Sequence, residues 1–334
     1  MSKKLRLCVT SAILILLASA ACQIIQLKSL TINSGNAAQL QAAVQITDSN
    51  VANELVWSLD GSTIIALHSD GAARLKADTL ETVDAFTFDV STIIYDASPD
   101  GKTLAYSDNG SNIFLSDISL TEIACTLYPD AIVSNVDFSP DGKTLLTTSM
   151  DEIRVTIWDT TNGADLDTLS GFETAAPVYS AKFGEDAKHV IWISRGKVQL
   201  SNIANHTMGA EFGHEDFVVS AALSPDGTLL ATAAAGTING EFMPVIYIWD
   251  AESGSAVGNL TYPEPFSSVI FSPDSSLIVA LSGHTLIFWD ATSLTQIAEI
   301  ISEGDSFTTL AFAPDGTAIV TASADGEITL WQVK

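Results

Sequence analysis

The chain has 334 residues, of which 47% are hydrophobic and only 16% are charged. Disordered chains have the opposite balance, so the composition excludes extensive disorder and predicts a sizeable buried core. The 40 acidic residues outnumber the 14 lysines and arginines, and the formal net charge is −26. Binding to nucleic acid, or to an anionic membrane surface, depends on clustered Lys and Arg, so the composition argues against both partners.

Residues 1–22 have the pattern of a secretory signal peptide. Lys3, Lys4 and Arg6 precede an apolar stretch of about eleven residues, which is too short to span a membrane. Small residues from Ala18 to Ala21 then lead to Cys22. An anchoring helix or a buried N-terminal strand is the alternative interpretation.

The sequence before Cys22 resembles a bacterial lipobox, although Ser19 holds a position where that family prefers Leu. The resemblance implies that Cys22 is lipidated and holds the protein on the outer face of a bacterial membrane. We then expect residues 23–35 to form a tether between the lipid and the fold. Cleavage by ordinary signal peptidase, which would release a secreted protein, is the alternative. Once Cys8 leaves with the signal peptide and Cys22 is acylated, Cys125 has no partner for an intramolecular disulfide.

A short turn of the Ser-Pro-Asp-Gly type recurs throughout the rest of the chain. The intervals between successive copies are 40 to 48 residues, a period typical of propellers and repeat arrays. Pro sets the backbone angle that the turn requires, and Asp-Gly tolerates left-handed geometry. The seven copies begin at Ser58, Ser98, Ser139, Gly184, Ser224, Ser272 and Ala313.

Short apolar or alternating segments flank each turn, and four of the third segments end on a tryptophan. These endings are Ile157-Trp158-Asp159, Ile248-Trp249-Asp250, Phe288-Trp289-Asp290 and Leu330-Trp331-Gln332. With these endings the chain resembles WD-repeat proteins over residues 36–334. The resemblance implies an all-β fold, a seven-bladed β-propeller of four-stranded antiparallel blades.

The resemblance also implies a hydrogen-bonded network of His, Ser or Thr, Asp and Trp within each blade. The fifth blade offers His214, Thr232 or a neighbour, and Trp249, but no Asp in its second turn. In the seventh blade the corresponding residues are Ser323, Asp325 and Trp331, while Asp305 replaces the His. We therefore expect incomplete networks and a larger contribution from packing.

The chain ends two residues after Gln332, so the seventh repeat lacks its own outer strand. Residues 36–46 are predicted to supply it and to close the ring, because an unpaired outer edge is prone to aggregation. A short helix over residues 37–43 is the alternative, since this segment has helical propensity.

No residue pattern indicates catalysis, a metal site or a cofactor. The five histidines form no closely spaced ligand pair, and the chain has no Cys pair suited to zinc. A Gly-x-Ser-x-Gly nucleophile motif and phosphate-binding glycine motifs are also absent. The sequence therefore predicts a non-catalytic protein.

The resemblance implies a monomeric scaffold that binds a protein partner through one face of the propeller. The fifth repeat is longer than its neighbours, and its extra residues 236–244 are predicted to form a loop. Ile238, Phe242 and Met243 in this loop, with His214 on the same face, are the predicted partner-binding residues. Alternatively, the loop buries Phe242 against its own blade or is a neutral insertion.

Two other functions remain open at this stage. One is an extracytoplasmic propeller enzyme, such as a hydrolase or lactonase-like protein, with its site in the central channel. Acidic and His side chains that converge on the channel axis would favour it. The other is an accessory or sensor protein of the cell envelope.

Overall fold

The computed structural model describes residues 30–48, 50–89, 92–108, 110–149, 154–170, 178–194 and 196–333. These residues form seven four-stranded antiparallel sheets, which are the blades of a β-propeller. The predicted fold class is therefore confirmed. The predicted signal peptide, Cys22 and most of the predicted tether lie outside the described residues. Among the described residues, no helix is long and apolar enough to cross a membrane.

The strands follow one another in chain order, and each of the first six blades uses four consecutive strands. Strand β1 spans Leu40–Thr47. Blade 1 contains β2 (Ala52–Trp57), β3 (Thr63–His68), β4 (Gly71–Lys76) and β5 (Thr82–Thr87). Blade 2 contains β6 (Ile93–Ala97), β7 (Thr103–Ser107), β8 (Ile113–Asp117) and β9 (Ile123–Leu127). Blade 3 contains β10 (Val133–Phe138), β11 (Thr144–Ser149), β12 (Arg154–Asp159) and β13 (Asp165–Ser170).

The second half of the ring repeats this arrangement. Blade 4 contains β14 (Val178–Phe183), β15 (His189–Ser194), β16 (Lys197–Asn202) and β17 (Thr207–Gly213). Blade 5 contains β18 (Ser220–Leu223), β19 (Leu229–Ile238), β20 (Glu241–Asp250) and β21 (Ala256–Thr261). Blade 6 contains β22 (Phe266–Phe271), β23 (Leu277–Ser282), β24 (Thr285–Asp290) and β25 (Gln296–Ile301). Blade 7 contains β26 (Phe307–Phe312), β27 (Ala318–Ser323) and β28 (Glu327–Val333), with β1 as its fourth strand.

The recurring turn joins the first and second strands of each blade and is held by its own side chains. In blade 2 the Ser98 hydroxyl donates to Asp100 at 2.6 Å and accepts the Thr103 N–H at 2.9 Å. Gly101 follows with φ +68°, a left-handed value that glycine adopts without strain. The same pair of Ser contacts recurs in the turns that begin at Ser58, Ser139, Ser224 and Ser272.

In three blades the tryptophan of the third strand donates its indole N–H to a threonine of the second strand. The Nε1–Oγ1 distance is 2.9 Å in each of the three pairs, which are Trp158–Thr147, Trp249–Thr232 and Trp331–Thr321. In blade 7 Ser323 donates to Asp325 at 2.6 Å, as the expected network requires, but the Trp331 indole is bound by Thr321 rather than by Ser323.

Blade 4 keeps this hydrogen bond with the two residue types exchanged between strands. Trp192 on β15 occupies the position that Thr232 has in blade 5, and Ser201 on β16 occupies the position of Trp249. The Trp192 indole donates to the Ser201 hydroxyl at 2.7 Å, and both side chains are buried. The interaction therefore survives although the third strand has lost its tryptophan.

The N-terminal strand closes the ring as predicted. Strand β1 pairs antiparallel with β28, from Leu40 opposite Val333 to Thr47 opposite Glu327. Within the part of the chain that the structure describes, helical structure is limited to a single 3₁₀ turn at Ala37–Gln39. Ile32, within the segment predicted to be a tether, is fully buried, and its N–H donates to the Gly316 carbonyl at 2.8 Å. The packed part of the chain thus begins before residue 36.

Candidate functional site

The extra residues of blade 5 form a regular β-hairpin, so the prediction of a loop at residues 236–244 is wrong. Strands β19 and β20 stay paired as far as Ile238 opposite Glu241. Asn239 and Gly240 make the turn with φ +54° and +87°, as a type I′ hairpin requires. The inner neighbour β18 pairs with β19 only as far as Ala233. The five residues beyond it extend the hairpin by about 16 Å.

The register of the hairpin separates the three predicted apolar binding residues. Residues directly opposite in an antiparallel pair share a face, so Thr237 and Phe242 lie on one side of the ribbon. Ile238 and Met243 lie on the other side and are half-buried. Phe242 is 62% exposed, so it is not folded back against its own blade. It is the exposed apolar group of the hairpin.

The hairpin is fastened to the connection between blades 4 and 5. Glu215 of that connection accepts the Thr237 N–H at 3.0 Å and the Thr237 hydroxyl at 2.8 Å. At the base of the hairpin, a Cβ on Gly236 would lie 2.0 Å from the Tyr247 hydroxyl, so this close approach requires glycine. The hairpin and His214, which precedes Glu215, therefore lie on the same face of the propeller.

His214 is engaged inside the blade. Its Nε2 is 2.7 Å from the Thr232 hydroxyl, and its ring packs edge-on against Tyr247 and Trp249 with centroids 5.5 Å away. Burial lowers the pKa of His214 to about 4, so the ring is neutral at physiological pH. Its Nδ1 is buried without a hydrogen-bond partner, in a blade that lacks the Asp expected in its second turn. His214 supports the base of the hairpin, and its contact with a partner stays a prediction.

Exposed apolar side chains lie on both faces of the propeller. We call the face that carries the hairpin the upper face; it is formed by the hairpin turns between second and third strands, such as residues 239–240, and by the inter-blade connections, such as residues 214–219. The lower face carries the recurring Ser-Pro-Asp-Gly turns and the turns between third and fourth strands. Within the described residues, the large apolar side chains exposed in or beside the upper-face connections are Val51, Ile93, Tyr128, Ile132, Phe217, Val219, Phe242 and Ile301. The others are Leu59 in a recurring turn, Leu30 in the N-terminal segment, and Val83, Ile123, Leu166 and Val257 near the lower ends of outer strands.

The central channel carries charged side chains that sequence analysis did not find. Asp96 on β6 accepts the Phe138 N–H of the next blade at 2.7 Å. Asp137 on β10 accepts the Phe183 N–H of the following blade, also at 2.7 Å. These carboxylates therefore link the inner strands of blades 2, 3 and 4. Three different blades contribute to the group, so no local motif shows it; the one signal in sequence is an acidic residue beside the last apolar residue of an inner strand.

The channel carboxylates raise one another's pKa. Burial raises the pKa of Asp96 and of Asp137 well above the ordinary value. The charge of Glu54 raises the pKa of Asp96 further, and the charge of Asp96 does the same for Asp137. Glu54 on β2 joins them, and burial followed by the charge of Asp137 raises its pKa to about 7. Lys182 on β14 acts in the opposite direction on Glu54 and Asp137. At neutral pH the group therefore shares protons that isolated carboxyls would have lost.

A cavity of about 460 Å³ lies beside this group. Glu54, Tyr95, Thr309 and the buried His68 contribute to its lining. Across the described ranges, no cluster of three or more His, Cys, Asp or Glu is arranged to hold a metal ion. The cavity has a mixed polar and apolar lining and borders on Glu54, the carboxyl group whose pKa is about 7.

Seven four-stranded blades, closed by the first strand of the chain, define a β-propeller. Three segments, residues 123–159, 206–239 and 295–332, match the family described as WD domain, G-beta repeat. These segments cover about a third of the chain, which over them is similar to WD-repeat proteins and has the fold of a propeller.

The matched segments are offset from the blades by one strand. Residues 295–332 begin just before the outer strand of blade 6 and end within β28 of blade 7. Each matched segment of this kind begins with the outer strand of one blade and continues into the next blade, so the outer strand of blade 7 is not part of the last matched segment. Strand β1 fills this position, which explains how the N-terminus closes the ring.

Several curated proteins are similar to the chain. The transcriptional corepressor LEUNIG_HOMOLOG of Arabidopsis thaliana is 27% identical over 267 residues, which cover 75% of this chain and 32% of that protein. The periodic tryptophan protein 2 homolog of Schizosaccharomyces pombe is 30% identical over 115 residues, covering 34% of this chain and 13% of that protein. Periodic tryptophan protein 2 of Arabidopsis thaliana is 26% identical over 205 residues, which cover 60% of this chain and 22% of that protein. The chain spans about a third or less of these relatives.

Proposed function

We propose that this protein is a non-catalytic scaffold that binds a protein partner through its upper face. The observation that carries the proposal is the exposure of Phe242 at 62% on a hairpin that extends beyond its blade. Aromatic side chains are enriched in binding surfaces because they bury a large area at small entropic cost. WD-repeat propellers are an architecture suited to protein interaction, which agrees with this assignment.

The second part of the proposal is a monomeric, extracytoplasmic protein held to a bacterial membrane by a lipid on Cys22. Its support is the position of the N-terminal segment, because Ile32 binds Gly316 in a turn of the lower face. The seven residues 23–29 can extend to about 25 Å at most. A tether of that length on the lower face would leave the upper face free for a partner. Secretion without a lipid is the alternative.

Replacement of Cys22 tests the lipid anchor. Cys22→Ala should move the mature protein from the membrane fraction to the soluble fraction, whereas Cys125→Ala should leave it at the membrane. Two acyl chains give stable anchoring, and losing both should release the protein. Mass spectrometry of the mature N-terminus provides the second measurement. A soluble wild-type protein that begins at Ala21 would overturn the lipoprotein assignment.

Replacement of Phe242 tests the binding face. Phe242→Ser should abolish partner recovery by chemical cross-linking in intact cells, because it removes the exposed aromatic anchor. Leu59→Ser is the matched control, since Leu59 is 53% exposed on the lower face. Both variants should melt within a few degrees of wild type. Undiminished recovery with Phe242→Ser would exclude this face.

The channel favours a second candidate function, an enzyme of the hydrolase or lactonase-like kind. The observation behind it is Glu54, whose pKa of about 7 suits an acid–base group and which borders the 460 Å³ cavity. A panel of ester and lactone substrates tests this function. Hydrolysis by wild type that Glu54→Gln abolishes, and that the exposed control Glu252→Gln preserves, would establish it. No turnover of the panel would leave the scaffold as the better assignment.

A further inference from the structure

We propose that the partner docks on the Phe242 side of the blade 5 hairpin with a cationic segment that carries an aromatic or aliphatic anchor. This inference rests on the proposed scaffold function and adds the chemical class of the partner. Three features of the described residues carry it: the guarded edges of the hairpin, its apolar groups, and the sign of the surrounding charge.

The edges of the hairpin are unsuited to the addition of a partner strand. On the inner edge beyond Ala233, the N–H of Thr237 is already bound to the Glu215 carboxylate at 3.0 Å. On the outer edge, β21 pairs with β20 only from Val245 onward, and the next residue towards the tip is Pro244, which has no N–H to donate. A partner must therefore use the side-chain faces of the hairpin rather than its backbone.

Apolar side chains are available on the hairpin and on the connection fastened to it. Phe242 is 62% exposed, and Phe217 and Val219 of the connection are 47% and 56% exposed. The Glu215–Thr237 hydrogen bonds hold this connection against the hairpin, and Phe217 also packs on Tyr179 with ring centroids 5.7 Å apart. These groups offer a pre-ordered apolar surface, so an anchoring side chain can bury area here without ordering a loop.

The surrounding charge has one sign only. Residues 198–333 contain 16 Asp and Glu and no Lys or Arg, so blades 5, 6 and 7 carry an unbalanced negative charge. Exposed acids flank the hairpin and the upper-face connections of these three blades, namely Glu215, Glu241, Glu264, Glu303, Asp305 and Asp325. A neutral or acidic segment would gain nothing from this field or be repelled by it, whereas Lys and Arg side chains would be attracted.

Selection from a random twelve-residue peptide library displayed on phage, against the full chain, tests the proposal. We expect the selected peptides to carry net positive charge and at least one aromatic or large aliphatic residue. Fluorescence anisotropy then compares one synthetic peptide with the variants. Phe242→Ser should weaken binding about tenfold. Glu241 lies on the opposite side of the ribbon and acts only through the surrounding field, so Glu241→Lys should weaken binding less, by about fivefold at low salt, and this effect should shrink in 0.5 M NaCl.

Two lower-face variants serve as controls. Glu252→Lys makes the same charge change at the lower end of blade 5, and Leu59→Ser removes an exposed apolar group from the lower-face turn of blade 1. Both should bind the peptide within twofold of wild type. Circular dichroism melts identify any variant that fails to fold, and Phe242→Leu then replaces Phe242→Ser as the test of the anchor.

The possible outcomes separate this inference from the proposed function. If the selected peptides are neutral or acidic and their binding still depends on Phe242, the cationic nature of the partner is refuted and the scaffold function is retained. Peptides that bind the Phe242→Ser variant as well as wild type would overturn the binding surface. Enrichment of no peptide at all would overturn both.

Discussion

The three channel carboxylates lead to an unusual dependence of stability on pH. An isolated Glu has a pKa near 4.5, whereas that of Glu54 in the folded protein is about 7. The folded state therefore holds this proton more tightly than the unfolded state. The resulting stabilisation is fully present below the ordinary pKa and is lost as pH rises through about 7. This rise in the pKa of Glu54 corresponds to about 3 kcal/mol, most of which is lost between pH 5 and pH 8.

Glu54→Gln should remove most of this loss, because the amide keeps the shape of the side chain without its charge. It also relieves the repulsion that raises the pKa of Asp96. At pH 8 we expect the variant to unfold with a free energy about 2–3 kcal/mol higher than wild type, or about 5 °C in Tm for a chain of this size. At pH 5 the two proteins should differ by less than about 1 kcal/mol.

Thermal melts of wild type, Glu54→Gln and the exposed control Glu252→Gln from pH 4 to pH 8.5 provide the measurement. The control should follow wild type throughout. Hydrogen bonds from Ser and Thr lower the pKa of Asp60 and Asp117 to about 2. The stability that these two carboxylates contribute is lost as pH falls, so below pH 4 the free energy of unfolding should decrease with decreasing pH. Equal effects of Glu54→Gln at pH 5 and pH 8, or a loss of stability at pH 8, would refute the reasoning.

Three further predictions concern the blades themselves. Thr147→Val should lower the free energy of unfolding by about 1–3 kcal/mol in urea melts, because it leaves the Trp158 indole without its acceptor, while Thr261→Val, at an exposed end of β21, should have little effect. Trp192→Ser and Ser201→Trp should each lower the free energy of unfolding. The double variant should lose at least about 1 kcal/mol less than the sum of the two single losses, because it restores the arrangement of the other blades. Strictly additive losses would contradict this. Deletion of residues 23–47 should lower the free energy of unfolding by about 3–6 kcal/mol, because it removes the partner of β28 together with the buried Ile32 and Leu40. An unchanged Tm would mean that the segment is only a tether.

The sequence alone was sufficient for the architecture, because the repeat makes each blade a local problem. A Ser-Pro-Asp-Gly turn needs only its own residues to close, and its period of about forty residues leaves room for four short strands. The missing outer strand after Gln332 also indicated that the N-terminus must close the ring, and β1 does so. The exchange of Trp192 and Ser201 was harder to foresee, since it depends on the register between β15 and β16.

The prediction of a loop in the extra segment of blade 5 was wrong because it relied on local sequence alone. Gly236, Gly240 and Pro244 are loop-forming residues in isolation, but the register between β19 and β20 makes them parts of one hairpin. Gly236 is needed there because Tyr247 crosses it, and Asn239-Gly240 forms the turn. Whether Ile238, Phe242 and Met243 share a surface depended on this register, which places Phe242 on the opposite side of the ribbon from the other two.

The channel group could be found only in the tertiary structure. Glu54, Asp96 and Asp137 are 41 or 42 residues apart in sequence, and each resembles an ordinary polar residue of a half-buried strand. The packing of blades 1, 2 and 3 side by side brings them together, since the inner strands of these blades face the same axis. Proximity and burial then raise their pKa, a property of the assembled ring that none of the three blades has alone.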